Sequence, residues 1–550
     1  MTKPELSVVI ATRNRAALLR DCLESLDRQT AARERFEVVV VVDGATDDTI
    51  QMLERLEHGY ELVIVAQESY GPSHARNAGA ARARGELLLF VDDDELASPQ
   101  LVATHIDAHA ANENVVVIGA IERRVPESAD RFARVQVDDA RLQNEALAEK
   151  APTYWDCYGG NCSVSRAAFV LAGGYAPDLP RETDTELGYR LHANGLGFVF
   201  APDAVVSEYR SRQWLDIVRD TVQRGQLAVD LYRRHPPMIE QMPLGGRGEL
   251  SRPRSRQMVE RLLLALRIPP GVLGRAGLLV RSDAGVRAWS SLTLRHAYWC
   301  GVRAAAGDEL WRRLRSGTVM LGYHAFATRG ERPSRYIVPE RRFARQLWWL
   351  ARAGYNVVTF GEYLELRADY RLPPPKTVVL TIDDGYVDTA TVAGPILRRF
   401  GFRATVFVVT APSEGRRAEV VAALAHRPML GAEEAGLLPR DTFELGSHTR
   451  THPDLTALSA PDARREIRES KLELERVIGI PITGFAYPFG ASSETVRELV
   501  EDAEYLAARG TRPGRNRPAT EPFDLRWLEV RGTDSILRFA AMLVAGDTRR

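Results

Sequence analysis

Over the first 210 or so residues, short apolar runs alternate with amphipathic stretches. Leu6–Ala11, Phe36–Val42, Glu61–Ala66 and Leu87–Val91 have the length and β-branched content of strands. Between the first two, Leu18, Leu19, Cys22, Leu23 and Leu26 recur at helical spacing and predict a helix over Arg15–Arg28. This alternation predicts a layered α/β sheet. From Trp214 to Arg315 the pattern changes to Arg-rich amphipathic helices carrying Trp289, Tyr298, Trp299 and Trp311, with Leu244–Arg256 as a loop between them. Strand runs return at Thr318. They continue through Asn356–Thr359, Thr377–Ile382, Ala404–Val409, Phe443–Ser447 and Gly484–Ala486, interleaved with helical patterns, to about Val544. The shifts divide the chain into an α/β domain over residues 1–213, a helical connector over 214–316 and a second α/β domain over 317–550.

Composition narrows the class. A chain of 550 residues is too long for one core, and 45% hydrophobic with 27% charged residues excludes a largely disordered protein. Lys+Arg and Asp+Glu both number 73, so no basic surplus supports a nucleic-acid partner. Cys22, Cys157, Cys162 and Cys300 are too sparse for a disulfide framework and fit a reducing compartment. The most apolar stretch, Leu262–Val280, is broken by Arg267, Pro269, Pro270 and Arg275, which rules it out as a membrane span. Met-Thr-Lys-Pro-Glu leads straight into the first strand without a signal-like apolar region. The expectation is a cytoplasmic protein, with peripheral contact at the inner face of the membrane left open.

Three acidic features of the first domain carry chemistry. Asp92-Asp93-Asp94 directly follows Leu87–Val91, at the carboxyl end of a strand, where open α/β sheets bind ligands. Asp92 and Asp94 at alternate positions can share a hard divalent ion that also grips a diphosphate; an acidic turn is the plainer alternative. Asp43 ends the run Val38–Val42 and is placed for a nucleobase or ribose, whereas Asp47 or Asp48 fits the first turn of the next helix. Asp184 opens an apparent helix, where by default it is a first-turn acid and Arg190 a solvated or ion-paired residue.

In order along the chain these segments resemble a family 2 glycosyltransferase of the GT-A fold, from about Pro4 to Arg210. Val8-Val-Ile-Ala-Thr12-Arg-Asn14-Arg is similar to the opening strand and nucleotide loop, and Gly71-Pro-Ser-His-Ala-Arg76-Asn77-Ala-Gly79 to the segment whose arginine holds the nucleotide. Gly159-Gly160-Asn161-Cys-Ser-Val-Ser-Arg166 and Gly173-Gly174-Tyr175 resemble the acceptor side. The resemblance implies nucleotide-sugar contacts from Thr12, Asp43, Arg76 and Asp93, Mg²⁺ or Mn²⁺ on Asp92 and Asp94, and Asp184 as the base of an inverting sugar transfer. Where many members carry a histidine ligand this chain has Ser207-Glu208-Tyr209, and Glu208 is read as a solvent-facing strand-end residue in preference to a ligand. No Gln-x-x-Arg-Trp segment occurs, which favours addition of single sugars over polymerisation.

In the second domain, His448-Thr-Arg-Thr-His452 places two imidazoles four residues apart, on one face of any helical turn. Val378-Val-Leu-Thr381-Ile-Asp383-Asp384-Gly385 ends a strand on two carboxylates. Two histidines and one carboxylate make a hydrolytic metal site, leaving the other carboxylate as a base. These motifs, with Phe485-Ala486-Tyr487-Pro488-Phe489-Gly490 and Leu321-Gly-Tyr323-His324, resemble the polysaccharide deacetylases of carbohydrate esterase family 4. The resemblance implies a distorted (β/α) barrel, Zn²⁺ or a similar ion on Asp384, His448 and His452, and Asp383 activating water against an N-acetyl group. Two departures stand out: Ala486 replaces an arginine that orients the base in many members, and no histidine follows His452 to supply the usual acid. His324 either approaches the site from the first strand or is structural, the latter being the default.

The combined expectation is a bifunctional carbohydrate enzyme. It would use a nucleotide-sugar donor and a glycan or lipid-linked acceptor, and would remove acetyl groups from an N-acetyl sugar. The alternative is an active transferase with an impaired, glycan-binding deacetylase-like module. For the connector, with Trp289, Trp299 and Trp311, a helical interface between domains is the default and contact with an anionic bilayer the other reading.

Overall fold

The computed structural model describes residues 3–125, 130–157, 160–209, 213–248, 253–327, 330–412, 424 and 426–546. Gly159, residues 210–212 at the end of the first expected domain and residues 249–252 of the expected loop lie outside them. The chain forms two compact units, one of Met1–Arg233 with Arg252–Ala305, the other of Arg234–Ser251 with Ala306–Arg550. The residues expected as a connector divide between the two.

The first unit is built on eight strands: β1 (Leu6–Thr12), β2 (Phe36–Asp43), β3 (Glu61–Gln67), β4 (Leu87–Phe90), β5 (Glu95–Ala97), β6 (Val115–Arg124), β7 (Cys162–Ser165) and β8 (Gly197–Tyr209). Their order is β3-β2-β1-β4-β7-β6-β8-β5, a GT-A-like mixed sheet in which β1 to β4 pair in parallel and β7 runs antiparallel to β4 and β6. Alternate residues feed opposite faces. Val8, Ile10, Val38, Val40 and Val42 enter one apolar cluster, and Val9 and Val39 the other. Burial on both faces is why these strands read as unbroken apolar runs. The predicted first helix spans Ala16–Leu26 with Leu19, Cys22, Leu23 and Leu26 inward, but Leu18 is turned outward. Helix Pro72–Arg82 approaches β1 so closely at Gly79 that a Cβ there would lie 2.5 Å from Val9 Cγ1.

The second unit holds β9 (Val319–Tyr323), β10 (Ala325–Ala327), β11 (Ile337–Pro339), β12 (Asn356–Val358), β13 (Thr377–Asp384), β14 (Ala404–Val408), β15 (Phe443–Ser447), β16 (Gly484–Ala486), β17 (Ala507–Arg509) and β18 (Leu528–Glu529). The main sheet runs β17-β16-β15-β14-β13-β9-β18, with β12 added beside β13, and every pairing in it is parallel. This is a half-barrel of the (β/α) type. Its carboxyl ends gather His324, Asp383, Asp384, His448 and Arg509, the edge at which barrel folds place their chemistry.

The connector tryptophans are mostly structural. Trp299 is fully buried, and Trp289 donates to the carbonyl of Leu273 at 2.9 Å. Among the described residues no helix is long and apolar enough to cross a membrane.

Candidate active sites

In the first unit the strand ends converge as the motif order predicts. Asp93 is buried and its oxygens accept from Thr12 Oγ1 at 2.7 Å and Arg15 Nη1 at 2.8 Å, locking the end of β1 to the turn after β4. Asp92 accepts from Arg76 Nη2 at 2.6 Å, and Asp94 from Arg15 at 3.2 Å. Asp43 accepts from Gln67 Nε2, Tyr70 N and Gly71 N at 2.7–2.9 Å, which fixes the loop leading into the Arg76 helix. Asp47 takes the first-turn role by accepting from Thr49 N at 3.1 Å.

Asp184 lies at the start of helix Thr183–Ala193. Its Oδ1 is buried without a hydrogen-bond partner. Burial pushes its carboxyl up to about 6 against the opposing field of Arg76, with Asp92 adding to the rise. The frame around it is polar. Asn77 and Tyr175 exchange hydrogen bonds at 2.8–2.9 Å, Arg76 lies 5.4 Å from the Tyr175 ring centre, and Arg190 pairs with buried Glu186 at 2.7 Å while donating to the Gly174 carbonyl. Arg190 is thus an ion-paired residue that also holds the Gly173–Gly174 turn.

The segment around Gly160 and Asn161 is held by buried hydrogen bonds. Asn161, at φ 60°, donates from Nδ2 to the carbonyls of Ala120 and Ala204, and its Oδ1 meets His105 Nε2 at 2.8 Å. At Gly160 a Cβ would lie 2.0 Å from Oε1 of buried Glu95, so any side chain there would force that carboxylate to move. Glu208 departs from the expectation of a solvent-facing residue. It pairs in register with Glu95 across β5 and β8, its side chain is only 17% exposed, and Arg123 donates to it at 3.3 Å.

Among the described residues the acids at this end of the sheet do not bring three donor atoms within 4.8 Å of one another, and only their electrostatics favour a divalent cation. Burial raises the pKa values of Asp94 and Glu95, and the charges of Asp92 and Glu208 raise both further. A cation between such groups relieves repulsion that Arg15 and Arg76 relieve only in part.

In the second unit Asp384, His448 and His452 bring one donor atom each within 4.8 Å of one another, the only such group of three among the described residues. Asp384 Oδ1 lies 3.5 Å from Nε2 of both histidines. His448 Nδ1 bonds the Ala486 carbonyl at 2.8 Å, which puts its proton on Nδ1 and leaves the Nε2 lone pair facing the centre. The donor set, one carboxylate and two imidazoles, suits Zn²⁺ or a similar ion with positions left open. Burial pushes His452 down to about 4, aided by His448, so the imidazole is in its ligating neutral form at neutral pH. Burial alone would raise Asp384, but His448, His452 and His324 hold it well below the usual carboxylate range. The segment from His448 to His452 is not a helical turn. Thr449 and His452 have φ of 66° and 64°, and Asp384 has φ 69°, a strained backbone that aims the ligands from a loop.

The comparisons with known proteins follow the same division. A model described as Glycosyl transferase family 2 matches residues 7–170, and one described as Polysaccharide deacetylase matches residues 371–508. The chain carries a domain of each family. A validoxylamine A glucosyltransferase of Streptomyces hygroscopicus subsp. jinggangensis (strain 5008) is 37% identical over 229 residues, covering 35% of this chain and 52% of that relative. YxkH of Bacillus subtilis (strain 168), which carries a provisional polysaccharide deacetylase name, is 27% identical over 177 residues, covering 32% of this chain and 60% of its own. The match therefore spans little more than half the length of these curated relatives. Among solved structures, the Streptococcus pyogenes deacetylase PplD in complex with acetate is similar at 23% identity and a TM-score of 0.36, over 41% of this chain and 98% of that one.

The deacetylase domain also contains one residue that the sequence motifs missed, Arg509, and one whose role they left open, His324. Arg509 is fully buried, donates to Asp383 Oδ1, and lies between the rings of Phe407 and Trp527 at 4.9 and 4.8 Å. In the sheet register Arg509 is the partner of Ala486, so the guanidinium missing from β16 arrives from the neighbouring strand. Burial pulls Arg509 down to about 9, and it remains a cation at neutral pH. His324 Nε2 lies 4.0 Å from Asp383 Oδ2, so the structure places this residue beside the site. Arg509→Met leaves Asp383 buried and unpaired, and is expected to lower the unfolding free energy by about 3–5 kcal/mol. Arg509→Lys should lose less; equal losses in denaturant titrations would show that ring packing, not charge, carries the effect.

Proposed function

We propose that the chain is a bifunctional carbohydrate enzyme: an inverting glycosyltransferase with a nucleotide-sugar donor and a glycan or lipid-linked acceptor, and a hydrolase that removes the acetyl group of an N-acetyl sugar. The observation that carries this reading is that each unit sets a further carboxylate, available as a base, beside groups suited to a cation: carboxylates in the first unit, one carboxylate and two imidazoles in the second. In the first unit that base is Asp184, with its unpartnered Oδ1. In the second it is Asp383, whose Oδ1 is held by Arg509 while Oδ2 faces His324. Both reactions are assigned to the cytoplasmic side, where nucleotide-sugars are made.

In the transfer reaction Asp184 Oδ1 accepts the proton of the acceptor hydroxyl as that oxygen attacks the anomeric carbon from the face opposite the diphosphate. Arg76, pinned against Asp92 and Tyr175, places positive charge beside the departing phosphates. Mg²⁺ or Mn²⁺ at Asp92 and Asp94 supplies neutralisation of the charge growing on the diphosphate. In the hydrolysis Asp383 Oδ2 takes a proton from water attacking the amide carbon. His324 Nε2 is the adjacent basic nitrogen through which that proton returns to the departing amine. A divalent ion on Asp384, His448 and His452 supplies Lewis-acid polarisation of the amide carbonyl.

Because Asp184 is raised to about 6 and acts only when deprotonated, kcat/KM for transfer should fall as pH drops through that value, tenfold per unit below it. A profile flat from pH 5 to 8 would remove Asp184 from the base role. Acetate release from N-acetylhexosamine substrates should fall by about 10²–10⁴-fold in Asp383→Asn, and by about 10²-fold in His324→Gln, with bound metal unchanged in both. Metal-loaded parent protein that releases no acetate from any of these substrates would contradict hydrolysis and favour a glycan-binding role for this domain.

A further inference from the structure

Seven of the 23 exposed large hydrophobic side chains among the described residues fall within residues 258–279. They belong to helices Arg254–Ala265 and Pro270–Gly277 and the turns that follow each, all in the first unit. On the first helix and its C-cap, Met258, Leu262 and Leu266 recur at four-residue spacing and are 70%, 57% and 61% exposed. The opposite face of the same helix packs inward through Leu264 and through Glu260, which is bonded to Arg295 at 2.7 Å. The usual arrangement of a surface helix is reversed, with one face packed against the protein and a second apolar face turned to solvent. On the following helix and turn Val272, Leu278 and Leu279 are exposed as well, Leu279 to 81%.

Along this segment the exposed charges are arginines, with Asp283 the first acid beyond it. Arg256, Arg261, Arg267, Arg275 and Arg281 are all exposed, and none forms an ion pair among the described residues. Between residues 253 and 282 the sequence has a single acidic residue, Glu260, and it is buried. Over the whole chain basic and acidic residues balance at 73 each, so the asymmetry is local.

We propose that this surface docks the protein on an anionic lipid bilayer, with the aliphatic side chains entering the acyl boundary and the arginines lying at the headgroups. The occupant follows from the chemistry. Long flexible aliphatic side chains without an aromatic among the exposed ones suit a fluid apolar phase, and arginine stems can lie along that phase while their heads reach phosphate. A protein partner would call for a charge-depleted centre with aromatic anchors, and a nucleic acid would leave the apolar stripe without a role. The surface differs from the one the tryptophans suggested, since Trp299 is in the core and Trp289 is tied to Leu273. The inference does not depend on the chemistry of either active site.

The test is sedimentation of the full chain with large vesicles of phosphatidylcholine alone or with 30% phosphatidylglycerol, at physiological salt. Binding to the anionic vesicles should exceed binding to neutral ones by more than about tenfold, and should weaken as salt is raised. Leu262→Glu with Leu266→Glu should abolish most of it while thermal unfolding stays as in the parent, because both positions are exposed. No binding to anionic vesicles, or equal binding by parent and variant, overturns the proposal. A lipid-free dimer of the parent that the double variant dissolves would assign the surface to a second copy of the chain, and overturns it too.

Discussion

Carboxylates crowded at the end of a parallel strand need positive charge beside them, and the placement of that charge organises both halves of this protein. In the second unit Arg509 is buried against Asp383 between two aromatic rings, so neither member can move to water without stranding the other. That pairing fixes one oxygen of Asp383 and leaves the other turned to His324. In the first unit Arg76 serves Asp92 and Arg15 serves Asp93 and Asp94. The arrangement there is more open, Asp92 and Arg15 keeping 41% and 48% of their side-chain surface exposed.

Around these pairs the supporting structure is rigid for local reasons. Gly79 admits close packing of the Arg76 helix on β1, and Gly160 admits the chain over Glu95. The buried imidazoles of His105 and His109 share Ser163 Oγ, and His105 also meets Asn161. Burial pushes both histidines down to about 4, so the network is uncharged at neutral pH and holds the segment around Asn161 without adding a cation. At the metal-suited centre the Ala486 carbonyl performs the corresponding task by fixing the His448 tautomer.

Much of this was legible in the sequence because it is local. Strands buried on both faces print as apolar runs, and the motifs at their ends kept their spacing. What stayed hidden was set by register between distant segments. Arg509 is an arginine in a three-residue strand with no motif around it, and only the pairing of β17 with β16 shows that it stands beside Ala486. Glu208 looks solvent-facing until β8 is aligned with β5. The spacing of His448 and His452 suited a helical turn, but a backbone with two positive φ values brings the rings together instead. The exposed stripe at Met258, Leu262 and Leu266 has the same periodicity as a core stripe, so periodicity alone could not tell which face of the helix was inward.

The central claim is that two chemistries reside at two separate carboxylate centres of one chain. The most direct test measures nucleoside diphosphate release and acetate release in parallel from the same preparations of parent, Asp184→Asn and Asp383→Asn protein. Asp184→Asn is expected to lose only the first activity and Asp383→Asn only the second. Loss of both activities in either single variant, with the protein still folded and metal-loaded, would contradict it.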